Sequence, residues 1–211
     1  DIAFSPDGNS LLYKTTQSYY RLLDLNNSDN NVILGRFLSD GGFNYDGSKI
    51  AFVEFDALAA LTDSQYIVEL NVQRDSERIS SGDIPVLDPE YFNNSASLVY
   101  SIQFEEIERT KGKYRIIRRD EIQMESDYKI YDDEKLVVQD SSRSLELPKL
   151  SFDDKYILIE GYKDTDLFNF QNQRIFGFQT KPQSSDILLY SFEENKITDP
   201  GIRGYDLVWL R

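Results

Sequence analysis

The sequence predicts an all-β fold, a radial array of small four-stranded antiparallel sheets. Three observations carry this prediction. A ten-residue unit recurs four times along the 211 residues, each copy reading as strand, tight turn, strand. Further short apolar stretches of strand length follow each copy. Tyr (14) and Phe (13) far outnumber Trp (1) and Met (1), a bias that suits pleated surfaces, and no dozen residues show clean helical periodicity.

In chain order the units are Phe4-Ser-Pro-Asp-Gly-Asn-Ser-Leu-Leu-Tyr13, Phe43-Asn-Tyr-Asp-Gly-Ser-Lys-Ile-Ala-Phe52, Tyr91-Phe-Asn-Asn-Ser-Ala-Ser-Leu-Val-Tyr100 and Leu150-Ser-Phe-Asp-Asp-Lys-Tyr-Ile-Leu-Ile159. The first position is large and apolar, the fourth is Asp or Asn, and the last three are apolar. In the first copy Pro6 presets φ for the turn, Asp7 can accept from amides ahead of it, and Gly8 tolerates positive φ; Asp46 and Gly47 repeat the last two. These five are structural turn residues. The units start 39, 48 and 59 residues apart. The shortest spacing is that of a four-stranded β-propeller blade, and the longer ones imply loop insertions.

The next strands out are expected at Tyr20–Leu25, Gln65–Leu70, Asp127–Tyr131 and Asp186–Phe192. The outermost are expected at Asn31–Leu34, Glu77–Ser80, Lys135–Val138 and Asn195–Thr198. Inner strands are the more continuously apolar, as a radial stack requires. Asp56–Thr62 suits at most one helical turn in a loop. Asp206-Leu-Val-Trp209 superimposes on Asp1-Ile-Ala-Phe4, so a fifth unit begins there. The expected architecture is one β-propeller over 1–211, with blades near 1–36, 41–80, 86–140 and 147–199. The first strand of a fifth blade follows at 204–211, in a ring larger than four blades. Since residue 1 already lies within a repeat, upstream sequence is expected.

The formal charge of −14 argues against nucleic acid and against anionic membrane, both of which require clustered Lys and Arg. No apolar run is long enough to span a bilayer as a helix. Zero Cys removes disulfides, thiolate nucleophiles and Cys-based metal sites. Zero His removes the Ser-His-Asp triad, His-ligated metals and any imidazole base. Catalysis within this chain would rest on carboxylates, Lys, Tyr or Ser.

The Phe-Ser-Pro-Asp-Gly-x-x-Leu-Leu-Tyr unit (residues 4–13), the Tyr-Arg-Leu-Leu-Asp-Leu strand (20–25) and the Lys-Ile-Thr-Asp-Pro-Gly…Leu-Val-Trp junction (196–209) resemble the repeats of TolB-like, WD-repeat-like β-propellers. The third unit, with Asn94-Ser95, and the fourth, with Asp153-Asp154, depart from the Asp-Gly pattern. The resemblance implies the fold and, by itself alone, an extracytoplasmic (periplasmic or secreted) setting. It leaves function open, because propellers host binding modules and enzymes alike. Similar repeats occur in the propellers that gate dipeptidyl-peptidase-like and prolyl-oligopeptidase-like serine peptidases. The hydrolase domain and its Gly-x-Ser-x-Gly elbow are absent from these residues.

One stretch stands out for charge. Ser97–Glu108, a turn, and Tyr114–Ile122 read as an extended hairpin at 97–122 projecting beyond its blade. It carries Arg109, Lys111, Lys113, Arg115, Arg118 and Arg119, opposite Glu105, Glu106 and Glu108. Cross-strand charge pairing is one explanation, each pair contributing a few tenths of a kcal/mol. The other is a docking arm for an acidic partner or another subunit, since long insertions are usually touched by something.

Lesser candidates complete the survey. Asp24–Asn31 is rich in oxygen ligands and is a weak candidate for Ca²⁺, without the Gly and terminal acid of the helix–loop–helix pattern. Asn26-Asn27-Ser28 and Asn93-Asn94-Ser95 fit the N-glycosylation pattern. Tyr162–Pro182 is an aromatic loop suited to blade packing or to a partner. A carboxylate pair could hydrolyse glycosides, but the abundance of acids nominates none. The favoured function is a non-catalytic propeller module for protein–protein interaction or assembly within a larger protein or complex, contacting through the 109–119 hairpin or a channel face. The alternative is the substrate-gating propeller of a prolyl-oligopeptidase-like serine peptidase.

Overall fold

Alternating apolar residues at strand spacing build four antiparallel sheets, and apolar layers between the sheets form the core. The computed structural model describes residues 2–17, 19–35, 41–55, 65–71, 76–78, 84–108, 111–122, 130–131, 134–163, 185–205 and 207–209. Asp56–Thr62 and the greater part of the aromatic loop, 164–184, lie outside them.

Blade 1 orders β1 (Ile2–Phe4), β2 (Ser10–Lys14), β3 (Tyr20–Asp24) and β4 (Asn31–Gly35) from the inside outward. Blade 2 repeats this with β5 (Gly42–Phe43), β6 (Lys49–Phe55), β7 (Gln65–Asn71) and β8 (Ser76–Arg78). Blade 3 contains β9 (Val86–Tyr91), β10 (Leu98–Glu108), β11 (Lys111–Arg119) and β14 (Lys135–Val138), with a separate hairpin of β12 (Glu121–Ile122) and β13 (Ile130–Tyr131). Blade 4 is made of β15 (Ser144–Leu150), β16 (Tyr156–Tyr162), β17 (Ser185–Ser191) and β18 (Lys196–Gly204).

Period-two alternation explains why the sheets stack. In β6, Ile50 and Phe52 enter the layer against Leu12 and Tyr20 of blade 1. Ala51 and Val53, one residue out of phase, enter the layer against Tyr91, Leu98 and Tyr100 of blade 3. A third layer joins Val99 and Ile116 of blade 3 to Leu150, Ile157 and Leu188 of blade 4. The rings of Tyr20 and Phe52 meet edge-on at 5.0 Å. Fully burying one such side chain contributes about 1.5–3 kcal/mol.

Blade 3 corrects two expectations. Its third strand is Lys111–Arg119, not the segment near Tyr131, whose Ile130 and Tyr131 pair only with Glu121 and Ile122. The charged hairpin is therefore the pair of middle strands of the blade rather than an insertion. β9 pairs with β10 no farther out than Ile102 and β14 reaches β11 no farther than Ile116, but Lys113 and Tyr114 beyond them are still buried, the Tyr114 amide donating to the Ser144 hydroxyl at 2.9 Å. The charge on Arg115, Arg118 and Arg119 disguised a buried strand, because Ile116 and Ile117 between them carry the packing.

The expected fifth strand also differs. Residues 207–209 are not in a strand. They are held instead by the Trp209 indole, which donates to the Lys149 carbonyl at 2.9 Å.

Candidate functional site

The repeat brings its turns together along one rim of the propeller. In three copies a small polar residue at the second position stitches the turn. The Ser5 hydroxyl accepts from the Ser10 amide at 2.8 Å, the Asn44 side-chain oxygen from Lys49 at 2.9 Å, and the Ser151 hydroxyl from Tyr156 at 3.0 Å. The fourth-position carboxylates then accept from amides two residues on, Asp7 from Asn9, Asp46 from Ser48 and Asp153 from Lys155. Hydrogen bonds from Ser5, Ser48 and Ser151 hold Asp7, Asp46 and Asp153 respectively below the usual carboxylate range, so all three are anionic at neutral pH. Gly8 and Gly47 take φ of 71° and 75° in the place expected of them.

Neighbouring turns touch. A Cβ on Gly47 would lie 3.4 Å from the Pro6 ring. Asp154 accepts from the backbone and side-chain amides of Asn93 across the gap between blades 3 and 4. Between the carboxylates the rim displays Tyr45, 46% exposed, and Phe152, 48% exposed. The turn roles of Asp and Gly were legible in the repeat, whereas those of Ser5, Asn44 and Ser151 were not assigned. Their signal was present as a small polar residue at the second position of units one, two and four.

The hairpin cations do not form one patch. Arg109 and the side chain of Lys111 lie outside the described residues. Lys113 is buried, its ammonium donating to the Ser141 carbonyl at 3.1 Å and lying 3.8 Å from Glu105. Arg115, Arg118 and Arg119 are split by strand alternation. Arg118 pairs with Val99 on the side of blade 4, whereas Arg115 and Arg119 pair with Ile102 and Leu98 on the side of blade 2. The Arg118 guanidinium sits 4.4 Å over the Phe92 ring and donates to Asp120 at 2.6 Å. Arg115 approaches Gln139 at 3.4 Å, and Arg119 lies beside the Tyr100 hydroxyl. The sequence concentrated these charges; the pleat separates them.

The remaining candidates have definite places. The Asp24 carboxylate accepts from the amides of Asn26 and Asn27, which makes Asp24–Asn31 a hydrogen-bonded turn. Among the described residues no group of three acidic side chains converges as a metal site. Asn93 is held by Asp154, whereas the Asn26 side chain bonds Asn9 on an exposed turn. Two carboxylates do meet, Glu146 and Glu160, which are cross-strand partners in β15 and β16. Both are buried, with Ser144 donating to Glu146 at 2.8 Å and the Tyr162 hydroxyl donating to Glu160. Neither presents a surface to substrate. Between the inner strands, Glu90 of β9 faces Lys149 of β15 at 3.9 Å, and burial pushes Glu90 up to about 7 against the pull of that ammonium.

No protein-family model and no curated protein matches the chain. Solved structures do resemble it. A prolyl endopeptidase aligns with 97% of this chain and 29% of its own length, at TM-score 0.59 and 13% identity. An oligogalacturonate lyase, solved in complex with manganese, aligns with 94% of this chain and 51% of its own length, at TM-score 0.56 and 11% identity. A protein assigned as TolB from Agrobacterium tumefaciens aligns with 94% of this chain and 78% of its own length, at TM-score 0.52 and 12% identity. The chain thus spans less than a third of the peptidase and about half of the lyase. Four antiparallel four-stranded sheets arranged as in these proteins make the chain, in fold, a TolB-like β-propeller.

Proposed function

We propose that the chain is a non-catalytic propeller module that binds protein, with the turn rim as its contact. One observation carries this reading: exposed Tyr45 and Phe152 stand among the anionic Asp7, Asp46 and Asp153 on a face built from the turns of the repeat, three of them stitched alike. Aromatic rings supply contact area at low conformational cost, and carboxylates supply orientation, so the face suits a partner segment carrying Lys or Arg. The hairpin is the weaker contact, because Lys113 is buried and Arg118 is already engaged. The test is to tag the protein and identify what co-purifies, with and without Tyr45→Asp and Phe152→Asp. Loss of a specific partner at unchanged thermal stability supports the rim. An unchanged partner set overturns it.

A second reading is supported by the prolyl endopeptidase likeness, which extends over nearly the whole chain. Here the module would gate substrate to a serine hydrolase domain on the same polypeptide. The complete gene separates the two: an α/β domain with Gly-x-Ser-x-Gly favours the gate, and its absence removes that reading.

A further inference from the structure

The innermost strands of blades 3 and 4 carry the same irregularity at the same place in the repeat. β9 fits Asp88 and Pro89 between the rungs where β10 has only Tyr100, and β15 fits Leu147 and Pro148 where β16 has only Ile159. Asp88 and Leu147 both take φ of 52°, and each bulge re-aims the side chain that follows its proline. Those side chains are Glu90 and Lys149, which meet across the seam between the blades at 3.9 Å, beyond hydrogen-bonding distance. The Glu90 stem is partly exposed, but its Oε2 is shut off from water and makes no hydrogen bond. The carboxyl accepts only from the Leu150 amide. The charges acting on it are Lys149 on β15, Asp154 in the turn that follows β15, and Asp88 on its own strand. Val99 stands opposite on β10, and Arg118 beyond it is held by Asp120. Asp154 is also the acceptor that clasps the amides of Asn93 and Asn94 across the same seam.

We infer that Glu90 is a proton-operated joint between blades 3 and 4: neutral, it leaves the Asn93–Asp154 clasp closed, and ionised, it loosens the seam. Ionisation puts charge on an oxygen that neither a donor nor water reaches, which is costly. It also sets that charge against Asp88 and Asp154, and the Lys149 ammonium, too far off to donate, offsets only part of the cost. Relief comes when the carboxylate reaches water, which requires the two inner strands to part. Lys149 carries the change further, because its carbonyl accepts from the Trp209 indole at 2.9 Å. With no His and no Cys in the chain, no side chain of ordinary pKa titrates between pH 5 and 8. Burial, joined by the two like charges and opposed by Lys149, displaces Glu90 into that window, to about 7. A group raised in the closed state favours closure below its ordinary value, and that advantage is lost as pH rises through the raised one. The seam is therefore tight in mild acid and loose in mild base.

The test is amide hydrogen exchange at Asn93 and Asn94, corrected for the intrinsic effect of pH, with the emission of Trp209, the sole Trp, as a second readout. Protection of the two amides should fall at least about tenfold between pH 5 and 8 and level off above about 7, while the amides of β2 and β3 in blade 1 hold theirs. Trp209 emission should follow the same course. Glu90→Gln should abolish both responses. Should that variant fail to fold, two others bear on the same point: Lys149→Met moves the levelling point to higher pH, and Asp154→Asn, which removes a like charge, moves it lower. Protection that is flat with pH, or that falls equally in Glu90→Gln, overturns the inference. So does a pH-independent change in Glu90→Gln, the mark of a merely structural residue. An equal fall in blade 1 overturns it too, because the charge would then act on the whole fold. A levelling point that moves in neither Lys149→Met nor Asp154→Asn refutes the joint as drawn.

Discussion

Asn93 and Asp154 clasp the turns of blades 3 and 4: one carboxylate oxygen of Asp154 accepts from the Asn93 backbone amide at 2.9 Å and from its side-chain amide at 2.7 Å. Asp154 stands at the fifth position of its unit, where units one and two have glycine, and takes φ of 57° to do so. Gly would satisfy the backbone there, but only a side-chain acceptor closes the gap to the neighbouring blade. We expect Asp154→Ala to cost about 1–3 kcal/mol, combining lost charge-assisted hydrogen bonds with a left-handed backbone that Ala tolerates poorly. Asp154→Asn keeps an acceptor and tolerates that backbone, so its loss is smaller. Urea denaturation of the two variants gives the comparison, and equal losses would mean the clasp contributes nothing.

Gly8 is the converse case. A Cβ placed on it meets no atom within 4 Å, so any loss on substitution is conformational. Gly8→Val is expected to lose roughly 1–2 kcal/mol or more, whereas Gly8→Asn loses less, since Asn visits positive φ more readily. Denaturation midpoints at unchanged m-value are the measurement. A fully stable Gly8→Val protein would show that the turn re-forms around negative φ.

Acid sensitivity follows from the stitched turns. Asp7, Asp46 and Asp153 titrate below their ordinary value when folded. A carboxyl depressed in the folded state contributes stability above its unfolded pKa, and that contribution fades as pH falls through the folded value. Thermal stability should therefore decline below about pH 4. Ser5→Ala and Ser151→Ala should flatten that decline, because each removes the main hydrogen bond on its Asp. A decline of the same slope in both variants would assign it to other carboxylates.

Glu90 works in the opposite direction. Burial raises it to about 7 when folded. A group raised in the folded state favours folding below its unfolded value, and that advantage is lost as pH rises through the folded value. Between pH 4.5 and about 7 Glu90 should thus cost stability progressively. Glu90→Gln should raise the melting temperature at pH 8 relative to pH 5. Melting curves at the two pH values decide, and an unchanged difference between them would mean that Lys149 compensates the charge fully.

The hairpin arginines should behave unequally. Arg118→Glu breaks the stack on Phe92 and sets a carboxylate beside Asp120, so we expect a loss of about 1–2 kcal/mol. Arg115→Glu, whose contact is a 3.4 Å approach to Gln139, should stay within about 0.5 kcal/mol. If partner binding fails only in Arg115→Glu, the hairpin regains its claim as a docking site. Equal stability of the two variants would refute the structural role of Arg118.

The local unit is legible from neighbouring residues alone: Pro6-Asp7-Gly8 makes the turn, and the apolar run Ile50 to Val53 makes a strand buried on both faces. Both signals act within a few residues, so they survive without knowledge of the partner strand. Which strand pairs with which is set by packing between blades. Lys111–Arg119 and Asp127–Tyr131 both carry strand signals, and the choice between them depends on packing Ile116 and Ile117 into two different blade layers. That choice also split Arg118 from Arg115 and Arg119, although they lie within five residues of one another. A one-dimensional cluster became two opposite faces, because the side chains of a pleated strand alternate while its sequence does not. The bare face around Phe4 is non-local in the same way. Its residues spell an ordinary inner strand, and only the packing of Phe43, Tyr91 and Leu150 between blades shows that Phe4, 64% exposed, has no such neighbour among the described residues.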